Sequence, residues 1–92
     1  MENKHTPGPW HVASGSVYSE TGATIAHMFR EPENTIRPVE RDTNAALIAA
    51  APELLYAAIA ALDCLERPHA ERDENRVRVM LDVAVAKAEG RA

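Results

Sequence analysis

Residues 43–65, TNAALIAAAPELLYAAIAALDCL, carry the one sustained periodic apolar pattern of the chain. Ile48, Ala51, Leu55, Ala58, Leu62 and Leu65 follow one another in steps of 3, 4, 3, 4 and 3, the spacing of a single helical stripe. The pattern predicts a helix that turns this stripe inward, with Leu55 and Leu62 as core residues. Asp42, Thr43 and Asn44 are each able to cap its start. Pro52 lacks the amide that would bond back to the carbonyl of Ile48, at a cost of about 3 kcal/mol if the helix ran straight on. The chain therefore either kinks there or begins a second helix, with Pro52 in the first turn and Glu53 meeting the helix dipole. The stripe stays in phase across Pro52, which favours a bend that keeps one face inward.

Beyond this stretch, Arg67-Pro68-His69 ends the helix and Asp73 is placed to cap a last one, which Gly90 terminates. Val77, Met80, Leu81, Ala84, Val85 and Ala88 form its stripe, and the short connection predicts an antiparallel helical hairpin. On the N-terminal side, Trp10-His11-Val12, Val17-Tyr18-Ser19 and Thr24 to Phe29 read as three short strands separated by the turns at Ser14-Gly15 and Thr21-Gly22. Alternation places Ile25, His27 and Phe29 on one face, with Thr24, Ala26 and Met28 on the other. The expected fold is α+β in one domain, 1–92: a β-meander over 7–29, a loop over 30–42, a kinked helix over 43–66 with its bend at Pro52, and a C-terminal helix over 73–89.

The 92 residues include one Trp, two Tyr and one Phe, so the core is thin and its margin of stability small. Alanine-rich helices bury little area per residue, and Leu47, Leu54, Ile59, Val79 and Val83 lie off the two stripes. A homo-oligomer formed through the hairpin, a dimer or larger, is expected to cover them. A net charge of −4 and a pI near 5.5 exclude a general nucleic-acid surface, whose affinity comes from neutralising phosphates. The single cysteine, Cys64, points to a reducing compartment. With no signal-peptide core and no long apolar run, the expected location is the cytoplasm, with no membrane partner.

Chemistry-bearing residues do not cluster. His5, His11, His27, His69 and Cys64 lack ligand-pair spacing, so no metal and no cofactor are expected. Ser14, Ser16, Ser19 and Cys64 have no base placed beside them by sequence, and the expectation is a protein without catalytic residues. The loop over 30–42 holds Arg30, Arg37 and Arg41 close to a helix start and to Asn44, a candidate anion site, although it also holds Glu31, Glu33, Glu40 and Asp42.

Two stretches, Thr6-Pro7-Gly8-Pro9-Trp10 and Asn44 to Leu55 (NAALIAAAPELL), together resemble a widespread group of small phage and prophage proteins. In that group a TPGPW segment, a short sheet and an NAxLIAAAPELL helix recur in this order. The layout is also similar to that of the phage Thoeris anti-defence sponge proteins, which hold cyclic ADP-ribose signals without cleaving them. That similarity, one of layout that carries over no binding residue, implies a counter-defence sponge for a small anionic nucleotide; on the chemistry of the residues themselves, Trp10 or Tyr18 would stack, Arg30, Arg37 and Arg41 would hold phosphate, and Asn44 would read a base or ribose edge. The alternative is a protein-interaction module that inhibits, or assembles with, a host or phage protein.

Overall fold

The structure is a computed structural model that describes residues 5–27 and 38–91. Three antiparallel strands, β1 (Trp10–Ala13), β2 (Ser16–Ser19) and β3 (Thr24–His27), form a sheet in the order β1-β2-β3. Three helices follow, α1 (Pro38–Ala49), α2 (Ala51–Glu66) and α3 (Glu74–Ala88), with a 3₁₀ turn at His69–Glu71 between the last two. This is the α+β layout expected, a meander followed by helices with a bend beside Pro52.

Ser14 and Gly15 join β1 to β2 as a two-residue turn, with φ of 51° and 73°. Positive φ at both positions matches the twist of the paired strands. Facing residues Trp10 and Ser19, His11 and Tyr18, and Val12 and Val17 share sides of the sheet in turn. Against β3 the register slips, Val17 opposing Ala26 and Tyr18 opposing Thr24, so Ile25 is the extra residue of a bulge. Strict alternation of β3 therefore fails, because Ile25 and Ala26 both pack toward Val17. The predicted positions of Met28 and Phe29 lie outside the described residues.

Helix α1 starts at Pro38, within the stretch read as loop. Proline is pre-organised for a first helical position, and Glu40 adds favourable charge to the first turn. Asp42, Thr43 and Asn44 consequently sit inside the helix instead of capping it, and the Thr43 hydroxyl donates back to the carbonyl of Glu40 at 3.0 Å. Between α1 and α2 the chain turns at Ala50, whose amide reaches the carbonyls of Ala46 and Leu47. The axes of Glu40–Ala49 and Ala51–Glu66 differ by 48°. Pro52 thus lies in the first turn of a new helix, the two-helix form of the bend. No single helix among the described residues is long and apolar enough to cross a membrane.

Both ends of α3 follow the sequence signals. The Asp73 carboxylate accepts from the amide of Arg76 at 3.1 Å, and at the far end Gly90 (φ 76°) lets the amides of Gly90 and Arg91 close on the carbonyls of Lys87 and Ala86. This is the paired bond pattern of a glycine-terminated helix.

The packing departs from the predicted stripes. Val17, Ala45 and Ala49 form a small core between the sheet and α1, joined by Trp10, Ile25, Ala26 and Ile48. Among the described residues, Val17 is the largest side chain that is fully buried. Along the hairpin the buried residues are Pro52, Ala57 and Cys64 on α2 and Ala84 on α3. Leu55 and Leu62, predicted as core, are 41% and 61% exposed, and Leu65 is 64% exposed. Alanine against alanine allows the closest approach of two backbones, so α2 turns its small residues toward α3, and its large ones point away. Leu81 and Val85 of α3 are likewise exposed, whereas Ala84 is buried and Val77, Met80 and Ala88 are half-buried. The molecule is elongated, 56 × 26 × 19 Å, and its radius of gyration of 15.8 Å exceeds the about 12 Å of a compact domain of this length.

Candidate functional site

The two motif stretches meet. Thr6 to Trp10 folds over the joint between α1 and α2, where a Cβ on Gly8 would lie 2.7 Å from Cβ of Pro52 and 3.0 Å from its Cγ. Glycine at position 8 is what lets the backbone rest on the proline ring. The Gly8–Pro9 peptide is cis. Trp10 Nε1 donates to the carbonyls of both Thr6 and Pro7 at 3.2 Å, which orients the indole while its ring packs on the Val17, Ala45 and Ala49 core. Trp10, the first residue of β1, therefore docks the sheet onto the helices.

A cleft of about 360 Å³ opens on one side of Trp10, between β1, α1 and the end of α3; His11, Val12, Asp42, Ala46, Ala49, Lys87 and Gly90 complete its wall. Lys87 is its cation. Its Nζ donates to Glu53 Oε1 at 2.8 Å, tying the last turn of α3 to the first turn of α2, with the two side chains 25% and 28% exposed. Glu53 Oε2 is buried without a protein partner. An anion entering the cleft has to compete with this carboxylate and with Asp42.

Of the predicted binding residues, the structure describes Trp10, Tyr18, Arg41 and Asn44, and these do not share one site. Trp10 lines the cleft. Tyr18 lies on the opposite side of the sheet, since it opposes His11 whereas Trp10 opposes Ser19, so the two rings cannot clamp one base. Arg41 lies over the β1–β2 turn, its Nε 3.1 Å from where a Cβ on Gly15 would be, and pairs with Asp42 at 3.4 Å. Asn44 is exposed on α1. Arg30 and Arg37 lie outside the described residues. Among the described residues no group of three His, Cys, Asp or Glu is arranged to hold a metal ion.

Three pairings escaped the sequence reading. Lys87 and Glu53 each have a sufficient local explanation at a helix end, which hides a bond between residues 34 positions apart. On the outer face of the sheet, Ser16 Oγ lies 3.0 Å from His27 Nδ1, and His11 Nε2 lies 3.0 Å from Glu20 Oε2. The cross-strand register alone brings Ser16 to His27.

The hairpin carries a run of exposed apolar residues. Leu55, Ile59, Leu62 and Leu65 expose themselves on α2, and a groove of about 320 Å³ between α2 and α3 is lined by Tyr56, Val79, Met80 and Val83, with Glu53 at one end.

No curated protein and no solved structure matches the chain. The model of one family, described as Salmonella phage P22 protein Y8K6, matches residues 1–92. That match spans the TPGPW segment, the sheet and all three helices, and the chain belongs to the family of Salmonella phage P22 protein Y8K6.

Proposed function

We propose that the chain is a small, non-enzymatic phage binding protein that works in the host cytoplasm as a homo-oligomer built through its helical hairpin. One observation carries this reading: among the described residues side-chain size is inverted, with nothing larger than Val17 fully buried while Leu55, Ile59, Leu62, Leu65, Val79 and Val83 stand exposed. The accessible surface of 6786 Å² exceeds the about 5,200 Å² expected of a folded monomer of 10.0 kDa. The excess is larger than the about 800 Å² that each partner buries in a standard interface. Light scattering at micromolar concentration tests the reading, with a mass of at least two chains expected.

For what the oligomer holds, charge favours a protein. The acidic surface suits a basic patch on a host or phage protein, and such binding weakens as salt is raised. The second reading, a sponge for a nucleotide-derived host signal, has the Trp10 cleft in its favour, whose volume suits a small ligand and whose wall holds an aromatic ring and Lys87. A panel of cyclic nucleotides and ADP-ribose isomers discriminates the two: a ligand at 100 times its Kd stabilises by about 2.7 kcal/mol and raises Tm measurably. An unmoved Tm across the panel removes the sponge and leaves the protein target.

A further inference from the structure

We propose that two copies of this chain pair antiparallel along the outward face of α2, about a two-fold axis beside Ala58, with Leu65 of each copy entering a recess beside Trp10 of the other. The proposal rests on the self-association set out above and specifies its surface.

The seam is written in the sequence. Ala51, Leu55, Ala58, Leu62 and Leu65 follow in steps of 4, 3, 4 and 3, the 3.5-residue period of helices that pack along their length. All five are exposed, and none of them is charged. The residues that meet α3 belong to a different phase of the same helix, Ala57 and Cys64. One helix thus carries two apolar faces, of which the chain's own hairpin covers the small-residue one.

The order along the seam is self-complementary about its centre. A two-fold axis beside Ala58 sets Ala58 against its own copy and Ala51 against Leu65, and brings Leu55 and Leu62 within one residue, about 1.5 Å along the axis, of each other, so that small residues meet at the crossing and large ones interleave beside it. Parallel pairing would instead set the exposed Glu66, at the end of the same outward face, against its copy. The antiparallel arrangement separates the two Glu66 positions by about 24 Å along the axis.

A receiving site is already shaped at the Ala51 end. His5, Trp10, Ala51, Pro52 and Leu55 line a shallow recess of about 220 Å³, and antiparallel pairing carries the most exposed leucine of the chain, Leu65, to it. Within one chain, Ala51 and Leu65 lie 14 residues apart on a single helix, about 21 Å along its axis. Any effect of Leu65 on Trp10 must therefore pass through the second copy.

Trp10 is the sole tryptophan, so its emission reads the recess directly. Leu65→Lys is expected to shift Trp10 emission to the red and to lower the mass measured by light scattering to one chain, with far-UV circular dichroism unchanged. A dimer that persists in Leu65→Lys with unaltered Trp10 emission overturns the antiparallel seam and leaves self-association standing. A native protein that is monomeric at every concentration overturns both. As a second measurement, in a Cys64→Ala background, an equimolar mixture of Ala51→Cys and Leu65→Cys chains is expected to oxidise to a mixed disulfide at least fivefold faster than either variant alone. Equal rates overturn the register.

Discussion

The two ends of α2 lie in opposite surroundings. At its first turn, Pro52 is covered by Gly8, Glu53 is held by Lys87, and Trp10 closes the joint from the side of the sheet. About three turns further on, Leu62 and Leu65 project from a stretch whose buried side chains are the small ones of Ala57 and Cys64. The difference teaches how an alanine-rich chain of this size distributes its apolar residues. Where the chain folds on itself it spends small side chains on close backbone approach, at Ala45, Ala49, Ala57 and Ala84. The leucines, which at about 25 cal/mol per Å² have most to gain from burial, are left for another surface.

Substitutions at the enclosed end should be costly and those at the open end mild for a single chain. Val17→Asp is expected to have the largest effect: an unpaired carboxylate in the fully buried Val17 site costs several kcal/mol, enough to unfold the domain, with loss of the far-UV signal at 25 °C as the readout. Gly8→Ala comes next. The added methyl meets a rigid proline ring at 2.7 Å, and a destabilisation of about 1 to 3 kcal/mol in urea titrations is expected, with a red shift of Trp10 as the joint opens. Lys87→Met leaves Glu53 without its cation and should cost about 1 kcal/mol, a loss that a double-mutant cycle with Glu53→Gln recovers in part. Leu62→Ala has the smallest expected effect on the folding of one chain, under about 1 kcal/mol when measured at dilutions where the chain is monomeric, because the side chain is already 61% exposed. A loss of 2 to 5 kcal/mol there, the range for a leucine removed from a core, would return Leu62 to the interior and erase the contrast between the two ends.

Much of this fold is legible in the residues. Ser14-Gly15 marks the hairpin turn, Asp73 and Gly90 mark the ends of α3, and Pro52 marks the bend, each through a backbone requirement that one residue type meets best. What could not be read is which face of α2 turns inward. Periodicity locates large apolar residues, and the spacing of Leu55, Leu62 and Leu65 is genuine, but it describes a stripe without saying what covers it. Alanines at 57 and 84 carry no such signal, since alanine is common on every face of this helix. The start of α1 was hidden because charged residues around Pro38 resemble a solvated loop. The bulge at Ile25 was hidden because a register slip depends on the partner strand. As for the candidate site, the placement of Trp10 at the joint follows from its proline-rich flank, while its separation from Tyr18 follows only from the strand register.

The central claim is that the outward face of the hairpin is completed by a second copy of the chain. Light scattering on the native protein at micromolar concentration tests it most directly: a mass of two chains, falling to one on dilution or with Leu65→Lys, is the predicted result, and a mass of one chain, 10.0 kDa, at every concentration would contradict it.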